Sequence, residues 1–189
     1  MKFSKLEIKE IVKAWLAVSL IFAIAMVGIS AKVIIALPFA LVTAGIGFLL
    51  HELAHKYVAQ RYRCWAEFRA NNQALLIGIL ISFTGFVLAA PGGVYIRGAT
   101  AKQHGRIAFA GPLMNIILAL AFYGLTALAL SPLLAEIANY GFRINALLAV
   151  FNLIPFPPFD GYSVWRWNKV VYVIGMLAAI LMMSIPIMP

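Results

Sequence analysis

The apolar run at residues 33–60, VIIALPFALVTAGIGFLLHELAHKYVAQ, carries the sequence His51-Glu52-Leu53-Ala54-His55 near its end. Residues four positions apart lie on one face of an α-helix, so His51 and His55 are predicted to bind a single Zn²⁺ ion. Glu52 is then placed to polarise a water molecule bound to that ion. Ordinary polar residues that meet solvent at a helix end would also have this pattern, but the apolar flanks weaken that interpretation. The motif predicts a hydrolytic zinc site on an apolar helix.

The composition indicates that the chain lies in a membrane. Of its 189 residues, 64% are hydrophobic and 11% are charged, and the mean hydropathy is +0.97. A soluble domain has about 25% charged residues. The length leaves little room for an additional soluble domain, so residues 1–189 are predicted to form a single membrane-embedded domain. The lone cysteine, Cys64, excludes an intrachain disulfide bond.

Six apolar runs predict an all-α polytopic membrane protein with about five to six transmembrane helices and a short re-entrant or β-strand element. The runs lie at 11–30, 33–60, 74–91, 106–130, 141–159 and 168–188. Lys and Arg accumulate in cytoplasmic loops. If residues 74–91 enter and leave the bilayer on one side, only Lys32 and Arg143 lie outside, which favours five spans plus a re-entrant segment over six spans. The net charge of +9 then reflects topology and contact with anionic lipid, and a nucleic-acid partner is not expected.

Asp160 is predicted to supply the third metal ligand. A catalytic zinc site has three protein ligands and leaves the fourth position to water. Asp160 follows an apolar run whose prolines must end the helix, and an aspartate before glycine is more often a turn residue. However, Glu52 and Asp160 would place two negative charges in a region of low dielectric constant unless a cation neutralised them. One Zn²⁺ ion balances both carboxylates.

Three ordered motifs make the chain similar to the site-2 proteases, a family of intramembrane zinc metalloproteases. The resemblance extends over about residues 37–167, in a compact form that lacks PDZ and CBS domains. The motifs are His51-Glu52-Leu53-Ala54-His55, Ala110-Gly111-Pro112-Leu113-Met114-Asn115 and Asn152 through Gly161. The resemblance implies that His51, His55 and Asp160 bind one zinc ion per chain and that Glu52 is the general base. It also implies that Asn115 and Asn152 lie close to the substrate.

The predicted function is hydrolysis of peptide bonds in transmembrane protein substrates. The protein is expected in a cell membrane, in a prokaryote, with its active site toward the cytoplasmic side. The substrate must be extended at the site, and the segment Gly92-Gly93-Val94-Tyr95-Ile96 is predicted to offer an edge strand to which it adds by β-augmentation. An interfacial loop is an equally good interpretation of this segment. The first and last apolar runs are the expected gate for lateral access, and Gly111-Pro112 is expected to start a helix that passes close to the zinc helix.

Two sets of alternatives remain at this stage. Asn115 and Asn152 are also compatible with hydrogen bonds between helices, and Asn145 is interpreted as structural. The rival function is a catalytically silent zinc-containing membrane scaffold, or a transporter. A transporter more often has ionisable residues along several spans, whereas here they cluster in one ligand set. A silent scaffold would have no use for Glu52.

Overall fold

The computed structural model describes residues 1–87, 91–128 and 131–186. It confirms an all-α polytopic fold with one small sheet. The helices are α1 (Lys5–Val27), α2 (Val33–Ala40), α3 (Ile46–Arg61), α4 (Asn72–Ser82), α5 (Ala101–Ala127), α6 (Pro132–Asn152), α7 (Asp160–Trp167) and α8 (Lys169–Ser184), and the strands are β1 (Trp65–Ala70) and β2 (Gly92–Arg97). A π-helical segment, Leu41–Gly45, joins α2 to α3, so Val33–Arg61 is continuously helical.

Within the described residues, four helical segments are long and apolar enough to cross a bilayer. They are Lys5–Val27, Val33–Arg61, Ala101–Ala127 and Pro132–Asn152. The predicted last run at 168–188 corresponds to α8, an apolar helix of 16 residues. Parts of three predicted runs, at 88–90, 129–130 and 187–188, lie outside the described residues.

The segment between the two strands begins and ends at the same small sheet. Strands β1 and β2 pair antiparallel, and Ala70 is the register partner of Gly92. The chain between these partners therefore leaves the sheet and returns to the same place. Helix α4 has 11 residues, or about 16 Å of length, which is much less than the roughly 30 Å of a hydrocarbon core. Helix α4 is therefore too short to cross a bilayer by itself, which favours the predicted re-entrant segment over a sixth full span at 74–91.

Two predicted helix starts differ from the observed ones. Helix α6 begins at Pro132 and not at 141, because Ser131 caps it with a hydrogen bond to the Leu134 N–H and a proline suits the first helical turn. Arg143 consequently lies within the helix, where its exposed side chain can extend toward the polar interface. Helix α5 begins at Ala101, and Gly111-Pro112 lies inside it.

Helix α3 occupies the centre of the fold. On one side Phe48 packs edge-on against Phe68 of β1, with ring centroids 5.9 Å apart, in a core shared with α1 and α6. On another side α5 runs along α3, and Ile107 packs against Ala59. Helices α5, α6 and α8 form a second apolar cluster. The zinc-motif helix is thus surrounded by protein, as its buried polar residues require.

A buried ion pair ties α1 to α3 and to the sheet. Lys56 Nζ lies 2.7 Å and 2.9 Å from the two carboxylate oxygens of Glu7, and each residue is 1% exposed. The same ammonium donates to the Ala66 carbonyl, and Glu7 Oε1 accepts from the Phe68 N–H. The charges are therefore satisfied by each other and by the backbone of β1. This contact fixes the sheet against the residue that follows His55.

Candidate metal centre

The three predicted ligands converge in the structure. Nε2 of His51 and Nε2 of His55 are 3.0 Å apart, and Asp160 Oδ2 lies 3.2 Å from the first and 3.1 Å from the second. Both imidazoles come from successive turns of α3, and Asp160 is the first residue of α7. The prolines after α6 bring this about, because they end that helix at Asn152 and let the chain turn back. Residues more than 100 positions apart in sequence thus meet at one point.

The outer nitrogens of both imidazoles are occupied. His51 Nδ1 donates to Asn115 Oδ1 at 2.6 Å, and His55 Nδ1 donates to the Ile107 carbonyl at 2.7 Å. Both partners can only accept, which fixes the hydrogen on Nδ1 in each neutral ring. Each Nε2 therefore presents a lone pair toward the other ring and toward Asp160. Such an outer hydrogen bond is what orients a histidine for metal binding.

The donor set fits a zinc ion. Two lone pairs and a carboxylate oxygen face one another at 3.0–3.2 Å, which is repulsive unless a cation lies between them. Ligands at the usual zinc distances and tetrahedral angles are about 3.3 Å apart, close to the observed separations. A Cβ at Gly111 of α5 would press against Nε2 of both imidazoles, so only glycine leaves this space clear. The residues present would therefore hold Zn²⁺, with one position left for water.

Glu52 lies beside this cluster with part of its carboxylate unpaired. The residue is 8% exposed, and among the described residues its Oε2 atom is buried without a hydrogen-bond partner. A buried polar atom of this kind is costly in a purely structural role. The backbone N–H of Val94 lies against the same carboxylate. The arrangement leaves one oxygen available for a water molecule at the metal centre.

A cavity of about 890 Å³ opens beside Glu52 and His51. All three predicted substrate-binding residues, Asn115, Asn152 and Val94, line it. Asn152 is half-buried, and its amide donates to the Leu148 carbonyl at 2.9 Å. Asn115, by contrast, is fully buried and donates to two acceptors behind the imidazole it supports. The contacts of Asn115 favour support of His51, whereas Asn152 lines the cavity and contacts the backbone of its own helix.

Strand β2 presents an open edge to this cavity. The N–H groups of Phe68 and Ala70 in β1 donate to Glu7 and Glu10, so they point away from β2. In an antiparallel pair, the register partners of such residues also point their backbone groups away from the neighbouring strand. Val94 and Gly92, the partners of Phe68 and Ala70, therefore direct their backbone groups outward, beside the cavity that they line.

Two buried polar residues near the centre are not apparent from sequence patterns. Asn145, interpreted as structural above, accepts a hydrogen bond from Asn115 and so contacts the support of His51. In the sequence, Asn145 is marked only by being a polar residue on the same face of an apolar span as Asn152. Lys56 has the Glu7 contact described above, and only its position after His55 draws attention to it.

Comparison with known proteins gives a consistent set of relatives. Residues 39–137 match peptidase family M50. A protein named "Putative zinc metalloprotease MJ0611" from Methanocaldococcus jannaschii is 39% identical over 178 residues, which cover 92% of this chain and 90% of that protein. "Putative zinc metalloprotease YwhC" from Bacillus subtilis is 31% identical, with 68% of each chain covered.

A more distant relative, "Putative zinc metalloprotease Rip2" from Mycolicibacterium smegmatis, is 32% identical over 79% of this chain and 62% of its own length. No solved structure matches the chain significantly. These relatives come from archaea and bacteria, and each is named as a zinc metalloprotease.

Proposed function

The chain belongs to peptidase family M50, the site-2 protease family, and from that premise we propose that it hydrolyses peptide bonds of transmembrane substrates. The observation that carries the proposal is the convergence of two imidazole lone pairs and the Asp160 carboxylate next to a buried, partly unpaired Glu52. A scaffold would need the metal ligands but would have no use for an unpaired carboxylate at the cavity wall. A transporter would distribute ionisable groups along a path through the membrane.

The proposed mechanism assigns one task to each residue. His51, His55 and Asp160 would hold one Zn²⁺ ion, which when bound supplies a Lewis acid and increases the acidity of water. Glu52 accepts the proton of the attacking water and later delivers it to the leaving amine. The hydrogen bonds at His51 Nδ1 and His55 Nδ1 keep both rings oriented throughout. Asn152 is placed to donate to the substrate backbone or to the developing oxyanion.

The substrate is proposed to bind as an extended strand along β2. A helical substrate hides its scissile bond, because the carbonyls are paired within the helix and side chains surround the backbone. The outward backbone groups at Gly92 and Val94 can pair with an extended peptide in their place. Because Val94 also adjoins Glu52, a peptide on this edge passes beside the general base.

Access to the centre is proposed from the cytoplasmic side and past α1. The zinc motif lies in the second half of the continuous helical segment Val33–Arg61, and Arg61, Arg63 and Arg69 close and follow this segment, as expected of a cytoplasmic loop. Val18 and Phe22 of α1 line the cavity, whereas among the described residues α8 contributes nothing to its wall. Of the two predicted gate segments, the first is therefore the better supported.

The experiment that tests this function uses the full chain in liposomes with a labelled transmembrane peptide. We expect cleavage by the purified protein, loss of cleavage after the metal is removed with a chelator, and recovery when stoichiometric Zn²⁺ is returned. Metal analysis of the active protein should give one zinc ion per chain. Cleavage that persists in metal-free protein would contradict the proposal, as would a metal-loaded protein that binds the peptide without cutting it.

The open edge of β2 gives a separate prediction. Val94→Pro removes an outward N–H without breaking a ladder hydrogen bond to β1, and proline is tolerated on strand edges. We expect kcat/KM for cleavage to fall about tenfold, the upper limit for one backbone hydrogen bond, with zinc affinity unchanged. The loss should appear as a higher KM, because loss of the N–H beside Glu52 alone would instead lower kcat. Val94→Ala, which keeps the N–H and trims the side chain, is the matched control. Equal cleavage by the two variants would exclude substrate pairing at this position.

A further inference from the structure

Asn145 of α6 lies behind the metal centre and is separated from His51 by one intervening side chain, that of Asn115. It is fully buried, and its Oδ1 accepts a hydrogen bond from Asn115 Nδ2 at 3.1 Å. Asn115 Nδ2 also donates to the Gly47 carbonyl at 3.1 Å, while Asn115 Oδ1 accepts from His51 at 2.6 Å. Asn145 does not line the cavity and contacts neither a proposed ligand nor the proposed base. Its link to the metal centre is through Asn115.

The two acceptors around Asn115 determine which way its amide faces. A side-chain amide can rotate by half a turn and exchange its oxygen and nitrogen with little change in shape. In the reversed orientation, the Asn115 oxygen would face the oxygens of Gly47 and Asn145, and its NH₂ group would face His51 Nδ1. Oxygen facing oxygen in a buried site loses two hydrogen bonds and leaves polar groups unpaired, which is strongly unfavourable.

The amide orientation in turn determines the tautomer of His51. With oxygen toward the ring, Nδ1 carries the hydrogen and Nε2 presents its lone pair to the metal position. With NH₂ toward the ring, Nδ1 must accept, and the hydrogen moves to Nε2, 3.0 Å from His55 Nε2. A protonated Nε2 cannot bind a metal ion. One rotation of Asn115 would therefore remove a ligand without moving the backbone.

We propose that Asn145 is a positioning residue of the metal centre, which locks the Asn115 amide so that His51 keeps a metal-binding tautomer. The inference rests on the proposed zinc function of the site. The carbonyl of Gly47, one helical turn before His51, is the second acceptor that holds the Asn115 amide in this orientation. A Cβ at position 47 would lie 2.5 Å from Asn145 Oδ1, so glycine is needed for Asn145 to reach Asn115.

The test measures zinc affinity of the full chain in detergent by competition with a chromophoric chelator. Asn145→Leu removes the acceptor, and Asn145→Ser is too short to reach Asn115 but can still bond the Gly141 carbonyl, as Asn145 does at 2.8 Å. We expect both variants to bind zinc about tenfold more weakly, at the lower end of the range for outer partners of a metal ligand. Asn145→Asp keeps an oxygen at the Oδ1 position and should restore most of the affinity.

A control and a double-mutant cycle separate this role from general packing. Ser19→Ala removes another fully buried side chain that bonds its own helix at 2.8 Å, and it should leave zinc affinity unchanged. In an Asn115→Ala background there is no amide for Asn145 to orient, so Asn145→Leu should cause no further loss of zinc affinity. An equal loss in both backgrounds would overturn the inference, as would wild-type affinity in both Asn145→Leu and Asn145→Ser. If the wild type itself binds no zinc, the proposed function fails first.

Discussion

Glu52→Gln is expected to lower the rate of peptide cleavage by about a thousandfold, within the range for loss of a general base. The amide has nearly the shape of the carboxylate but cannot accept a proton from water at neutral pH. Glu52 is not one of the three proposed zinc ligands, so the variant should bind one zinc ion with an affinity near that of the wild type. Single-turnover cleavage of a transmembrane peptide in liposomes, with zinc analysis of the same sample, measures both quantities.

The matched control for Glu52→Gln is Glu136→Gln. Glu136 is an exposed residue near the start of α6, at the end of that helix remote from Asn152, and the chemical change is identical. We expect it to cleave at the wild-type rate. If Glu52→Gln also cleaves at that rate, the unpaired oxygen has another purpose and the silent-scaffold alternative regains support.

Asp160→Asn is expected to weaken zinc binding by more than about a hundredfold, beyond the usual cost of losing an outer partner of a ligand. The substitution keeps the size of the side chain and removes its charge. A Zn²⁺ ion would then share the buried site with Glu52 as the sole nearby carboxylate, which leaves one uncompensated positive charge in an apolar region. Cleavage should fall with the zinc content. A chelator competition assay on the detergent-solubilised protein gives the affinity.

The two variants together separate binding from chemistry. Glu52→Gln should retain zinc and lose cleavage, whereas Asp160→Asn should lose both. Because zinc binds only the folded chain, adding Zn²⁺ should raise the melting temperature of wild type and Glu52→Gln but hardly change that of Asp160→Asn. An Asp160→Asn protein that holds zinc as tightly as the wild type would show that the third ligand lies elsewhere.

Features of the fold that depend on neighbouring residues in sequence could be predicted. The spacing of His51 and His55 follows from helix periodicity, and the prolines after Asn152 indicate where α6 must end. Asp160 could be selected because few acidic residues occur in this chain and a buried pair of carboxylates needs a cation. The distribution of basic residues predicted a re-entrant segment, because the bilayer constrains that distribution independently of packing, and the short helix α4 agrees with it.

Features that depend on contacts between distant residues were missed. Whether Asn115 faces a substrate or an imidazole is decided by how closely α5 passes α3 at Gly111, and no local pattern gives that distance. The pairing of Glu7 with Lys56 joins residues 49 positions apart, and either could have been a solvated interfacial charge. The start of α6 is different, because Ser131-Pro132 is a recognisable cap that outweighs the hydropathy minimum around Arg143.

The edge of the sheet formed by β1, whose N–H groups bond to Glu7 and Glu10, limits where another strand can bind. Carboxylates of α1 occupy the backbone donors of β1 that an additional strand would use, so a third strand cannot join there. An open edge strand can pair with strands of other chains, including copies of the same protein. This one can grow in a single direction, toward Glu52. Under the proposed function, a polypeptide that pairs with the sheet is therefore held beside the general base, and among the described residues the opposite edge offers it no place to bind.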